Sequence, residues 1–378
     1  MDTQTFDVVV VGGGAAGLSA ALVLGRARRR VAVVDGGAPR NAPASHMQGF
    51  LSRDGMPPTE LLEAGRAEVT GYGVELVDGH VESIEPGFFV RLASGELLRA
   101  RRILLATGVT DELPDIPGVR ERWGKDLLHC PYCHGWEVRD QPLGVLGTLP
   151  GSVQHALLVR QWSDDVVFFA HTYDLNPTEL AHLAARRVQV QRGEVTRLVI
   201  YADRLAGVEL ADGRVIQRSA VFVRPGNVPH ADGLLSALGC DVSEAGFAIV
   251  DPTGRTSTPG IWAAGNVVDP RAQVITAAGA GSAAAIAINA DLVREDVDLA
   301  LAADGTPTST EGPNTVATSD DHAMTPAVDA LGDPEATGEA LGHVLVGGVH
   351  SVEDFATEVA EAEGGHPLPT HQTTNNHR

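Results

Sequence analysis

The sequence predicts an α/β protein made of two parallel-sheet βαβ units, the second inserted in the first, followed by an acidic low-complexity tail. Three observations carry this. An apolar run, Val8 to Val11, feeds the turn Gly12-Gly13-Gly14 and a small-residue helix. A second apolar run, Leu143 to Leu146, meets Gly147 and opens another strand, turn and helix. A late segment, Thr256 to Asn266, leads into an Ala-rich helix and reads as the closing piece of the first unit.

Residues 6–11 read as a buried parallel strand, because an unbroken apolar run has no polar face to offer water. Residues 15–26 read as a helix and 31–35 as the next strand, which completes one βαβ unit. Arg26, Arg28, Arg29 and Arg30 close that helix, where cations complement the dipole, so no binding patch is read there. Residues 39–58 are rich in turn formers and are predicted irregular. A helix is expected over 59–71, short strands between glycine turns over 74–98, and a strand over 103–108.

Pro114 and Pro117 mark the crossing into the second unit. That unit has a predicted strand at 143–146, a helix at 153–162 and a strand at 166–169. The chain then returns through 249–251 and 256–266 to a helix over 277–292. The predicted domains are 1–112 with 243–300, an inserted 113–242, and a tail over 301–378. The tail is dominated by Thr, Ser, Pro, Gly and acids and is expected to be disordered, with a short strand pattern at 344–347 and a short helix pattern at 352–363.

A chain of 378 residues with 43% hydrophobic and 20% charged content and 43 glycines suits a loop-rich α/β protein of two domains. Its net charge of −21 repels phosphate backbones and argues against nucleic acid as a partner. From Leu301 onward, thirteen acids face one basic residue, Arg378, so much of that charge sits in the tail. Three cysteines do not make a disulfide framework, and Cys240 reads as a buried small apolar side chain. The apolar N-terminal run lacks a basic leader, and no apolar stretch reaches the roughly 20 residues of a membrane helix. A reducing cytoplasmic compartment is therefore expected, where a two-cysteine motif is more often catalytic than structural.

Gly12, Gly14 and Gly17 have the spacing of a dinucleotide fingerprint. The first permits the tight turn, the second lets backbone approach a pyrophosphate, and the third lets helix and strand pack closely. Gly13, Ala15 and Ala16 complete the turn and the helix N-terminus, whose free N–H groups suit phosphate. Asp35, at the end of the second strand, can accept hydrogen bonds from ribose hydroxyls. Strand, turn, helix, strand and acid together predict a bound dinucleotide and two Rossmann-like domains.

The run Cys130-Pro131-Tyr132-Cys133-His134-Gly135-Trp136-Glu137 holds two cysteines that can close a small disulfide and reopen it, with the thiolate as the attacking form. Proton transfer must accompany that chemistry, and His134 suits it because an unperturbed imidazole titrates near neutrality. Glu137 could orient the imidazole across one helical turn. Zinc is the competing reading, with His129 and Glu137 as local candidates, but no fourth ligand stands at zinc-like spacing, so no metal is expected. Trp136 reads as a wall beside the site, while His46 and His171 have no constellation around them, His46 lying in the loop nearest the expected cofactor.

Across residues 6–293 the chain resembles the low-molecular-weight thioredoxin reductases, within the two-dinucleotide-domain flavoprotein disulfide reductases. The resemblance rests on the N-terminal fingerprint, Ala106-Thr107-Gly108, the inserted cysteine pair and the run Pro259 to Asn266. It implies FAD, with Gly265 and Asn266 near the ribityl–phosphate region and Arg271-Ala272-Gln273 near the isoalloxazine. It also implies that Asp35-Gly36-Gly37 and Arg40-Asn41-Ala42 contact the adenosine and flavin ends. Cys133 would face the flavin and Cys130 would exchange with an external thiol or disulfide. The implied partner is a thioredoxin-like protein or a small-molecule dithiol or disulfide, and the implied assembly is a homodimer. Two departures stand out: Asn266 and His134 occupy positions where the family usually has Asp.

The second glycine turn departs further. Gly147-Thr148-Leu149-Pro150-Gly151-Ser152 places Leu149 where a nicotinamide-binding turn wants glycine, and a side chain there crowds the phosphates. Phe168 to Thr172 stands where the family's 2′-phosphate-binding arginines would be. Both observations argue against tight NADPH binding. The cysteine run also resembles that of the gliotoxin/holomycin-type dithiol oxidases, a branch of the same family. The expected activity is an FAD-dependent thiol–disulfide oxidoreductase, thioredoxin reductase-like. Two alternatives stay open: an oxygen-dependent dithiol oxidase that closes a disulfide in a small molecule without NADPH, and a non-catalytic redox sensor acting through the acidic tail. Electron supply by ferredoxin is disfavoured by the shared acidity of the two surfaces.

Overall fold

The computed structural model describes residues 3–230 and 233–304. The tail patterns at 344–347 and 352–363 lie outside the described residues. The chain opens with β1 (Gln4–Val11), α1 (Ala15–Arg26), β2 (Val31–Asp35), α2 (Pro58–Gly71) and β3 (Glu75–Asp78). It continues through β4 (Val81–Glu85), β5 (Phe89–Leu92), β6 (Leu97–Leu105) and β7 (Val109–Glu112). The second unit contains α3 (Val119–Arg122), β8 (Leu127–Leu128), α4 (Pro131–His134), β9 (Leu143–Leu146), α5 (Ser152–Val159) and β10 (Val166–Phe169). Next come α6 (Pro177–Ala185), β11 (Gln189–Gln191), β12 (Val195–Tyr201), β13 (Arg204–Leu210), β14 (Val215–Gln217) and β15 (Ala220–Val223). β16 (Gly226–Pro229), α7 (Leu234–Ala237), β17 (Ile261–Ala263) and α8 (Val274–Ala303) close the described chain.

The first sheet has the order β3-β2-β1-β6-β5-β4, with β17 paired in parallel to β6. Val8 to Val11 pair on both sides, with β2 and with β6, which is why that run carries no polar residue. The second sheet, β11-β10-β9-β15-β8, is parallel throughout. β7 and β16 pair antiparallel and form the two-stranded ribbon through which the chain leaves the first sheet and returns to it. The second unit is thus inserted into the first.

α8 is longer than the helix expected over 277–292. Its stripe of Ala277, Gly281, Ala284, Ala285, Ile288 and Leu292 is buried, and a Cβ at Gly281 would overlap the Ala16 carbonyl, so α1 and α8 cross in close contact. The extra turns are held by charge: Asp291 pairs with Arg102, while Glu295 and Asp296 pair with Arg101. Arg29, read only as a helix-end cation, reaches Asn289 and Asp296 and pins α1 to α8. By length and composition α8 also passes for a membrane span, with a window of mean hydropathy 1.3, contrary to the expectation that no stretch would. Its buried stripe and its ion pairs make it the packing partner of α1. Cys240 is buried as expected.

Candidate active site

The first glycine turn is closed on its protein side and open on the other. Gly12 sits at φ 106°, and a Cβ there would overlap the Ala106 carbonyl. A Cβ at Gly17 would overlap the Gly12 carbonyl, and one at Gly13 would press on the Asp35 carboxylate. At Gly14, by contrast, nothing lies within 4 Å. Gly14 is also the N-cap of α1 and makes no side-chain cap bond, so the first-turn N–H groups remain for a ligand. A cavity of about 1030 Å³ begins here. Gly12, Gly13, Gly14, Ala15, Ala16, Asp35, Asn41 and the run Ala106 to Gly108 line one part of it, and Gly265, Asn266 and Gln273 another. A volume of that size, a bare N-terminus and an acid at the end of β2 fit a dinucleotide pyrophosphate and its ribose.

Three expected cofactor contacts have a different local role. Gly36 does not line the cavity; a Cβ there would run into the His80 imidazole, so glycine is needed for packing. Arg40 lines the cavity, but its guanidinium grips Asp111 in a bidentate pair (3.0 and 2.7 Å) and donates to the Pro270 carbonyl at 2.7 Å. Asp111 also accepts from Asn227 at 2.7 Å, so Arg40 ties the β7–β16 ribbon to the loop before α8. Asn266 donates its amide to the carbonyls of Asp269 (2.9 Å) and Ala272 (3.0 Å). A carboxylate could donate to neither carbonyl, so these two bonds are specific to Asn at this position. Asp35 accepts from Arg66 as well as facing the cavity.

Cys130 and Cys133 line the same cavity and are disulfide-bonded, with Cα atoms 5.2 Å apart. Pro131 opens α4 at its first position, Cys130 is its N-cap, and one helical turn brings the sulfurs together. α4 packs on Trp162, against which Tyr132 stands edge-on at 5.5 Å and over which Gly135 lies so closely that a Cβ would be 2.8 Å away. Trp136 is not the expected wall. It is 66% exposed and outside the cavity lining, with the Arg139 guanidinium stacked 3.8 Å from its ring centre. Glu137 does not orient His134 either: no hydrogen bond or ion pair joins them among the described residues, and Glu137 accepts from Gln48 at 3.2 Å. The helix ends at His134, so the turn that would have aligned the two side chains is absent.

Burial lowers the His134 pKa, and the through-space pull of Glu137 only partly opposes it, so the ring is neutral near pH 7. Four further imidazoles, His46, His129, His155 and His230, line the cavity, and two of them are buried deeply enough to have strongly lowered pKa values. His155 is 7% exposed with neither ring nitrogen hydrogen-bonded, and burial pushes it down to about 3. His129 is held at about 4 by burial, with Asp111 opposing and Arg40 and Arg224 assisting. The two rings lie 6.0 Å apart, and Phe222 of β15 meets His155 edge-on. Sequence reasoning missed His155 and Asp111 entirely, because their partners lie on strands far along the chain. His129 stood next to Cys130 but carried no spacing signal beyond a weak zinc reading. His171, read as ordinary, accepts the Val195 amide at 2.9 Å. Among the described residues no group of three or more His, Cys, Asp or Glu side chains converges on a metal position.

The second glycine turn is closed on itself. The Leu149 amide donates to the Ser152 hydroxyl (3.3 Å), and that hydroxyl and the Ser152 amide both donate to the Leu149 carbonyl (2.7 and 3.1 Å). Leu149 projects outward at 36% exposure. Gly151 sits at φ 87°, and the Arg224 guanidinium lies against it, 3.1 Å from where a Cβ would stand.

Residues 6–283 match the pyridine nucleotide-disulphide oxidoreductase family. The thioredoxin reductase sirT of Leptosphaeria maculans is 31% identical over 317 residues, which cover 77% of this chain and 96% of that protein. The crystal structure of HlmI is 61% identical with a TM-score of 0.79, covering 80% of this chain and 98% of HlmI. An oxidoreductase from Agrobacterium tumefaciens is 38% identical with a TM-score of 0.73, over 77% of this chain and 99% of that one. A glycine cradle, a cysteine couple in the same cavity and relatives of this kind agree: the chain belongs to the pyridine nucleotide-disulphide oxidoreductase family.

Proposed function

We propose that the protein is an FAD-dependent thiol–disulfide oxidoreductase in which the Cys130–Cys133 couple trades an electron pair with an external dithiol or disulfide. The observation that carries this reading is that the couple and the open face of the Gly12–Gly14 turn line one cavity. Bound flavin would supply the acceptor or donor for the electron pair. The amides after Gly14 would hold its pyrophosphate, Asp35 a ribose, and Asn266 the loop alongside. His134, neutral through burial, can take the proton of an attacking thiol and return it to a leaving sulfur.

Within that reading we favour electron entry from a substrate dithiol over entry from NADPH. The self-bonded Leu149–Ser152 turn supports this, since the Leu149 amide already donates to the Ser152 hydroxyl where a pyrophosphate would need a free N–H. The resemblance of the cysteine run to the dithiol oxidases points the same way, with oxygen as final acceptor. The names of sirT and other relatives keep a thioredoxin-like partner open. An exposed apolar stripe on α8 (Ile286, Val293, Val297) supports a homodimer, which light scattering of the purified protein checks. A cytoplasmic location is part of the same proposal.

The test is an anaerobic stopped-flow flavin spectrum of the purified holoprotein. Excess dithiol bleaches the flavin of wild type, and Cys133→Ser abolishes the bleaching; equal bleaching in both would end the proposal. In parallel, NADPH reduces the flavin far more slowly than dithiol does. Rapid nicotinamide reduction would overturn the assignment of the electron source while leaving the thiol chemistry intact.

A further inference from the structure

We propose that Gln273 is a catalytic residue of the dithiol centre: its side-chain amide donates to the thiolate of the reduced Cys130/Cys133 pair and lowers the pKa of that sulfur. The inference rests on the thiol–disulfide reading above. Gln273 Nε2 lies 3.8 Å from Cys133 Sγ and 4.0 Å from Cys130 Sγ, within donor reach of either sulfur. The amide oxygen turns toward Gly49, which leaves the nitrogen for sulfur.

The position is fixed from both sides. Gln273 is the N-cap of α8, a 30-residue helix, so its backbone cannot drift without unwinding a first turn. The segment before it is held by the Asn266 amide on Asp269 and Ala272 and by Arg40 on Pro270.

Among the described residues, no other side chain donates a hydrogen bond to either sulfur. Arg40 is spent on Asp111, and Arg271 points to solvent on Asp269. His129, His134 and His155 are neutral through burial. His46 and His230 line the cavity but make no hydrogen bond to either sulfur, His230 contacting Thr110 instead. The acids present, Asp35, Asp111 and Asp269, are paired with arginines and do not touch the sulfurs.

The reaction needs such a donor. An incoming dithiol closes its own S–S bond and breaks Cys130–Cys133, delivering two electrons. Of its two protons, one stays on an enzyme sulfur and the other passes through His134 to solvent water, so the enzyme carries one thiol and one thiolate. An uncompensated thiolate in a half-buried cavity is costly, and a hydrogen bond to the charged form lowers its pKa.

The experiment follows iodoacetamide alkylation of the dithiol-reduced, anaerobic holoprotein against pH, read by mass spectrometry of the peptide that carries both cysteines. In Gln273→Leu the pH midpoint of the faster thiol rises by about one unit. Below the midpoint its rate falls only about threefold, because a more basic thiolate is also more nucleophilic. Gln273→Glu, which keeps the size and places a carboxylate at the sulfurs, raises the midpoint further. Should the leucine variant not fold, the glutamate variant decides alone. An unchanged midpoint in a variant with wild-type flavin content overturns the proposal. Failure of the parent reading looks different: wild-type flavin then fails to bleach with dithiol, whatever the alkylation profile.

Discussion

The two glycine turns share one topology and have opposite chemistry. Each follows a parallel strand, β1 or β9, and each opens a helix, α1 or α5. At Gly14 the backbone faces a cavity with nothing within 4 Å, and the N-terminus of α1 is bare. At Leu149 the corresponding groups bond to Ser152, and His155 of α5 meets Phe222 of β15 edge-on. The first glycine persists in both: a Cβ at Gly147 would lie 2.8 Å from the Phe168 ring on the neighbouring strand β10. Packing of a βαβ unit and binding by it are therefore separable. A turn can keep the first while its donors are turned inward.

The comparison breaks most visibly at Gly12. Gly12→Ala forces a Cβ into the Ala106 carbonyl at a positive φ, and neither backbone can give way. Flavin retention after gel filtration, read from the visible-to-ultraviolet absorbance ratio, falls by about a hundredfold or more. Full retention would mean that the turn does not carry the cofactor.

The buried imidazoles of the second unit give the next largest effect. His155 and His129 have folded pKa values of about 3 and about 4, below the free imidazole. The unfolded chain then binds more protons, so stability rises with pH. The contribution is present above about pH 6.5 and is lost as pH falls toward those values. Between pH 7 and pH 5 each imidazole costs about 2 kcal/mol of stability. Urea unfolding at the two pH values shows this drop, and His155→Phe, which suits the Phe222 contact, removes roughly half of it. The same slope in the variant would deny His155 that role.

The smallest effect belongs to the second turn. Leu149→Gly removes the crowding side chain but leaves the Ser152 bonds, so NADPH-driven flavin reduction stays within about twofold of wild type. Stability falls by about 0.5–1 kcal/mol from the added backbone freedom. A large gain in nicotinamide reduction would show that the Leu149 side chain alone blocked the site.

Much of this was legible residue by residue. Val8–Val11, the spacing of Gly12, Gly14 and Gly17, Asp35 and the Cys130/Cys133 pair are local signals, and each stands in the structure where its spacing implied. The misreadings share a cause. Glu137 was joined to His134 by helical spacing, but α4 stops at His134. Arg40 was expected only as a cofactor contact, because Asp111, 71 positions on, is invisible as its partner until β7 is placed. Gly36 looked like part of the cradle because nothing local reveals His80 against it.

The amino-acid order by itself determined the strand–turn–helix units, the glycine geometry and the cysteine couple, since these depend on φ, apolar period and neighbours within a few positions. Only the tertiary structure decided which donors stay free. It set Gln273 against the sulfurs, tied Arg40 to the ribbon and buried His155, because each outcome depends on contacts between segments more than sixty residues apart.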